Sequence, residues 1–147
     1  LNTSMVKDEN GNWIDNFDLK IRDLTYDQIS NYSIESLKPG SGYSDRFKNQ
    51  KSVEGAKIPK LIDLFKLANK ENYKDVFLNL EVKSNPNLKD VTPEPKEMVA
   101  TILKDIKDYN LEDRIVVTSF DWRILYELKK QNPNVLRGFL TLQQNLG

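Results

Sequence analysis

From Ile58 to Thr141 the apolar residues keep changing between a helical and an extended spacing, and that alternation restricts the fold more than any other property of the chain. Leu61, Ile62, Leu64, Phe65, Leu67 and Ala68 recur at helical spacing behind Pro59, a residue favoured in the first turn of a helix. Phe77 to Ser84, FLNLEVKS, then reads as a strand. SNPNLKDVTPEP is a loop rich in Pro and Asn, after which Met98, Val99, Ile102, Leu103 and Ile106 trace the apolar face of a second helix. Arg114 to Phe120, RIVVTSF, is β-branched and apolar enough for a strand buried on both faces. Ile124, Leu125 and Leu128 mark a third helix that Pro133 ends, and Val135 to Thr141, VLRGFLT, is a further strand. Strands separated by helices with short connections predict parallel βαβ units, whose crossovers are right-handed, and hence the α/β class. About three such units do not close a sheet. A (β/α)8 barrel takes about 250 residues, so in a barrel this chain is one part, with strands missing on both sides.

The segment 1–57 has a different character. Asp8, Asn10 and Gly11 form one cluster of turn residues, and Pro39, Gly40, Ser41 and Gly42 form another. Between them Ile29, Tyr32 and Leu37 predict one short helix, with Thr25 or Asp27 as its cap. We read 1–57 as an irregular insertion and 58–147 as the βα units of the same domain. The glycines of KPGSGYS are not a phosphate-binding loop, since no strand is expected before them, no helix after them, and no Gly-Lys-Ser/Thr follows. DENGNW is not an EF-hand loop, because Trp13 stands where glycine is required. Asn2-Thr3-Ser4 and Asn31-Tyr32-Ser33 match the short glycosylation triplet, which chance often produces.

Composition excludes several chemistries. Twenty-two Lys and Arg balance twenty-two Asp and Glu, so no net field recruits a nucleic acid or an anionic membrane. No run approaches the roughly 20 apolar residues of a membrane span. The absence of cysteine removes disulfides, thiolate metal sites and cysteine nucleophiles. The chain also contains no histidine, so no imidazole is available as a base, and Ser119 at the end of its strand has no partner that would activate it as a nucleophile. Ser119 and Asp121 are expected to form a turn and a helix cap, with a lesser part in a pocket wall. The chain opens on Leu1 and closes on TLQQNLG after an apolar segment, which reads as an excerpt of a longer protein whose open edges would promote aggregation.

The chemistry lies in FLNLEVKS. Alternate side chains of a strand share a face, so Asn79, Glu81 and Lys83 project one way while Leu78, Leu80 and Val82 project the other. Two readings of the charged pair follow. Glu81 and Lys83 can satisfy each other as an ion pair. Alternatively the carboxylate binds a hard cation such as Mg²⁺ or Ca²⁺ beside an ammonium that faces a phosphate oxygen, with Asn79 orienting the ligand. Barrel enzymes carry their catalytic groups at the carboxyl ends of the strands, where Glu81, Lys83 and the segment 119–121 are expected.

Taken in order and spacing, LKPGSGYSDRF, GAKIPKLIDLF, LNLEVKS and LEDRIVVTSFDWRILYELKKQNP resemble the glycerophosphodiester phosphodiesterase family. That resemblance implies a partial (β/α)8 TIM barrel, with 1–57 as the family's insertion and 58–147 as central βα units. Ile58, Pro59 and Leu61 match its helix start, with Lys60 where threonine is usual. It implies that Glu81 is a metal ligand and Lys83 a substrate-binding phosphate contact. The implied reaction is hydrolysis of a small glycerophosphodiester to sn-glycerol 3-phosphate and an alcohol, with a divalent metal ion, Ca²⁺ or Mg²⁺, as cofactor. SFDWR, 119–123, is similar to the bacterial and often periplasmic branch. The family's histidines and its remaining acidic residues have no counterpart here, so no catalytic residue of the family is assigned and the chain alone is expected to be inactive. Two other readings are a non-catalytic barrel that binds a phosphorylated ligand or a protein, and a phospholipase D-like relative.

Overall fold

A computed structural model describes residues 1–15, 19–88 and 90–142. The chain divides into two compact units, Leu1–Pro59 and Lys60–Gly147.

The first unit is held mainly by turns. Lys7 forms isolated antiparallel bridges to Trp13 and Ser33, and the DENG cluster is the turn between two of these partners. The Asp8 carboxylate accepts from the backbone N–H of Asn10 at 3.0 Å and of Asn12 at 2.8 Å, while Gly11 takes a positive φ of 81° that residues with a Cβ disfavour. Helix α1, Tyr26–Ile29, is a single turn. Thr25 caps it in a reciprocal arrangement with Gln28, as Ser/Thr-x-x-Gln permits. The expectation that no helix follows the KPGSGYS glycines is corrected: α2, Gly42–Arg46, begins there, capped by the Ser41 hydroxyl. Its five residues hold only one turn of local hydrogen bonds, too little apolar periodicity to be read from sequence.

The second unit is the βα array. Helix α3, Leu61–Ala68, starts two residues after Pro59, which therefore precedes the cap instead of opening the first turn. Phe65 and Ala68 are buried, whereas Leu64 and Leu67 are each more than 40% exposed. Helical geometry explains the difference, since 61, 65 and 68 share one stripe and 64 and 67 are rotated off it. Strand β1, Leu78–Glu81, is shorter than the apolar run that predicted it. Helix α4, Pro95–Asp108, begins on Pro95. It ends with Asn110 at φ 54°, where Leu111 N–H reaches the Ile106 carbonyl at 3.0 Å and Asn110 N–H that of Lys107 at 3.0 Å. Strand β2, Ile115–Ser119, helix α5, Trp122–Gln131, and strand β3, Leu136–Phe139, complete the array.

Among the described residues these three strands pair in parallel, in the order β1-β2-β3, with Glu81 opposite Thr118 and Ser119 opposite Phe139. β2 is central and buried along nearly all its length, as its β-branched run requires. The core joins Phe65 of α3, Val99 and Ile106 of α4, Ile124 and Leu128 of α5, and Ile115 and Val117 of β2. Gly138 has a steric role, because a Cβ there would stand 2.7 Å from Thr118 Cγ2 on the neighbouring strand. The sheet is open. Among the described residues β1 and β3 each have one strand neighbour, and Phe77, Leu136 and Phe139 are more than half exposed at these edges.

Arg114, at the end of a short 3-10 turn before β2, ties down the amino-terminal side of the sheet. Its guanidinium donates to the carbonyls of Ala68 at 3.2 Å, Tyr73 at 3.3 Å and Lys74 at 2.5 Å, and to Asn69 Oδ1 at 2.6 Å. Asn69 donates onward to the Tyr109 carbonyl at 2.7 Å. A cation at the carboxyl end of α3 also interacts favourably with the helix dipole. Arg114→Ala is expected to lower the unfolding free energy by about 2–3 kcal/mol, because several carbonyls lose a charged donor together. Urea titration of both proteins checks this, and Arg114→Lys, which lacks the planar fork, is expected to recover only part of the loss.

Candidate functional site at the carboxyl end of the sheet

The parallel order places the carboxyl ends of all three strands on one side of the sheet. Glu81 is the last residue of β1, and Lys83 follows two residues later, beyond the strand. The two groups meet: Lys83 Nζ pairs with Glu81 Oε1, with the lysine side chain 76% exposed and the glutamate 35% exposed. Both readings of the pair assumed a shared face, and the geometry realises the ion pair. Asn79 lies on that face but turns sideways, where its Oδ1 accepts from the Thr118 hydroxyl at 2.9 Å. That hydrogen bond links the side chains of the two neighbouring strands. Glu81, Val82, Lys83, Ser84, Phe120 and Asp121 line a cavity of about 220 Å³.

The SFD segment is more than a turn. Ser119 is fully buried, donates to the Val82 carbonyl at 2.7 Å and accepts from the Asp121 N–H at 3.0 Å. Asp121 caps α5 as expected, accepting from the Arg123 N–H at 3.1 Å. Its carboxylate also accepts from the Ser84 hydroxyl at 2.5 Å and pairs with the Arg123 guanidinium at 2.7 Å. The links from Ser84 and Arg123 to Asp121 were not foreseen. The Asp-x-Arg spacing was a usable signal for the second, but Ser84 lies 37 residues away in sequence. Phe120, half exposed, forms an apolar wall of the cavity.

Hydrogen bonds from the Arg123 side chain, helped by Ser84 and opposed by burial, lower the Asp121 pKa from 3.8 to about 2. The folded state therefore favours the ionised form. Its contribution is complete above the unfolded value and is lost as the pH falls towards the folded one. Relative to Asp121→Asn, the native protein is expected to lose about 1–2 kcal/mol of stability between about pH 4 and pH 2 and to run parallel to the variant from about pH 5 to 7. Urea midpoints across that range measure the difference.

The residues present do not by themselves fit a divalent cation. Among the described residues no group of three or more carboxylates converges, and Mg²⁺ or Ca²⁺ takes six or more oxygen ligands, of which Glu81 offers one side chain. Among the described residues no helix is long and apolar enough to cross a membrane.

Comparison with known proteins gives the family. The model of the glycerophosphoryl diester phosphodiesterase family matches residues 2–145. A glycerophosphodiester phosphodiesterase of Caldanaerobacter subterraneus subsp. tengcongensis is 30% identical over 120 residues, covering 82% of this chain and 41% of the relative. A solved protein of Silicibacter pomeroyi DSS-3, named as a glycerophosphoryl diester phosphodiesterase, superposes with a TM-score of 0.84 at 30% identity, over 96% of this chain and 47% of that one. A Galdieria sulphuraria structure, at 24% identity and a TM-score of 0.51, shares the fold over 72% of this chain. The chain thus spans about half the length or less of these relatives, and its open three-stranded sheet corresponds to part of a TIM barrel. With the family match running over nearly the whole sequence, the chain belongs to the glycerophosphoryl diester phosphodiesterase family, a family of phosphoric diester hydrolases.

Proposed function

We propose that this chain forms the central βα units of a glycerophosphodiester phosphodiesterase, which hydrolyses a small glycerophosphodiester to sn-glycerol 3-phosphate and an alcohol. The observation that carries the proposal is the Glu81 and Lys83 pair at the carboxyl end of β1, beside a cavity, in a chain of this family. Lys83 Nζ leaves Glu81 to meet an anionic phosphoryl oxygen, at little desolvation cost because its side chain is largely exposed. Glu81 would supply one carboxylate to a divalent cation, Ca²⁺ or Mg²⁺, whose other ligands would have to come from outside these βα units, in keeping with the general metal dependence of the family. Residues 1–57 are the insertion that follows an early barrel strand. Phe120 sets an apolar boundary for the part of the substrate that carries no charge.

With Glu81 the one carboxylate here not already held by Arg123 and Ser84, and no histidine in its sequence, the 147-residue chain is expected to show no metal-dependent turnover of glycerophosphocholine. Release of glycerol 3-phosphate by the purified chain, with Ca²⁺ or Mg²⁺ supplied and removed by a chelator, tests this directly. Chelator-sensitive release would overturn the expected inactivity. The mutual satisfaction of Glu81 and Lys83 favours a second reading, a barrel that binds a phosphorylated ligand without hydrolysing it. An intact protein that binds glycerol 3-phosphate but lacks turnover would establish that alternative.

A further inference from the structure

The backbone that carries Lys83 is anchored on both sides by one neighbouring segment. Before it, the Val82 carbonyl accepts the Ser119 hydroxyl at 2.7 Å, and Val82 N–H reaches the Thr118 carbonyl at 2.8 Å. After it, the Ser84 hydroxyl donates to Asp121 at 2.5 Å. Ser119 and Asp121 are themselves joined through the Asp121 N–H at 3.0 Å, which closes the brace. Both anchors are sheltered, with Ser119 fully buried and the Asp121 side chain 3% exposed. The Lys83 side chain, by contrast, is largely in solvent. A long lysine loses rotamer freedom when it grips an anion, so its contribution depends on how well its own Cα is placed.

We propose that Ser84, Ser119 and Asp121 are positioning residues that fix the backbone from which Lys83 reaches the phosphoryl group of a phosphodiester. This inference rests on Lys83 as the phosphate contact. Ionised Asp121 can only accept hydrogen bonds, so the Ser84 hydroxyl must donate to it, and the contact has a single polarity. Arg123 Nε, 3.0 Å from Oδ1, and Nη2, 2.7 Å from Oδ2, hold the carboxylate in the plane that serves Ser84. The brace also joins the end of β1 to the start of α5, so placement of Lys83 is coupled to the capping of that helix.

The test compares Ser84→Ala, Ser84→Thr and Lys83→Ala in the intact protein, by amide hydrogen exchange at 82–84 and by steady-state hydrolysis of glycerophosphocholine. Ser84→Ala is expected to speed exchange about tenfold at Val82, whose N–H is bonded to the Thr118 carbonyl, and to raise KM about five- to tenfold, with kcat and Tm nearly unchanged. Ser84→Thr, which keeps the hydroxyl, is expected to restore both. Wild-type exchange and KM in Ser84→Ala, with activity lost in Lys83→Ala, would overturn the brace alone. Unimpaired activity in Lys83→Ala would overturn the phosphate-contact reading and the inference with it. Equal losses of Tm and kcat in the Ala and Thr variants would reveal a structural role only and likewise overturn the proposal.

Discussion

Replacing Glu81 by glutamine in the intact protein is expected to lower metal-dependent hydrolysis by about two to three orders of magnitude, the usual cost of removing one electrostatic contributor to a transition state, without loss of the fold. Glutamine has the shape of glutamate and can still accept from Lys83, so the end of β1 keeps its geometry. What disappears is the negative charge. The side chain sits at a strand end on the face opposite Leu80 and outside the apolar core, so the substitution opens no cavity. A melting temperature within a few degrees of wild type, together with a kcat/KM loss and weaker Ca²⁺ or Mg²⁺ binding by calorimetry, is the expected pattern. Full activity in Glu81→Gln would remove Glu81 from the site.

The largest effect on stability is expected from Phe65→Ala, at about 3–5 kcal/mol. Phe65 is fully buried, belongs to the same core cluster as Ile106, Leu111 and Ile115, and meets the Tyr109 ring edge-on with centroids 5.9 Å apart. Truncation therefore removes the transfer energy of a whole ring, leaves a cavity, and breaks an aromatic contact. Small domains have only about 5–15 kcal/mol of stability in total, so the variant sits near the folding threshold. Urea unfolding followed by tyrosine and tryptophan fluorescence gives the difference. Phe65→Leu, which refills much of the volume, is expected to lose less than half as much. Equal losses for Ala and Leu would show that the ring contact outweighs the cavity.

The α/β class and the order of elements were legible because period and punctuation are local properties. Ile115, Val117 and their β-branched neighbours announced a strand buried on both faces, and the structure makes it the centre of the sheet. Asp121 was legible as a cap because capping spans only two or three residues. Element ends were less so. β1 stops at Glu81 because its ladder ends opposite Thr118, a limit that depends on its neighbour and not on FLNLEVKS itself. Likewise, whether Leu64 and Leu67 are covered depends on what packs against α3, and among the described residues both remain substantially exposed.

The site divides in the same way. By itself the sequence placed Glu81 and Lys83 two residues apart at the end of a strand, a spacing that predicts one shared face. It likewise excluded imidazole and thiol chemistry from this chain by composition. Only the tertiary structure decided that the pair closes on itself, that Asn79 serves Thr118, and that Ser84 and Ser119 tie β1 to the start of α5. Arg114 belongs with them, gathering carbonyls 40 to 46 residues away. These contacts join residues distant in sequence, and hydrogen-bonding partners of that kind are chosen by strand register and helix placement after the apolar core has packed. A polar side chain states in sequence what it can donate or accept, and the packed core determines to whom.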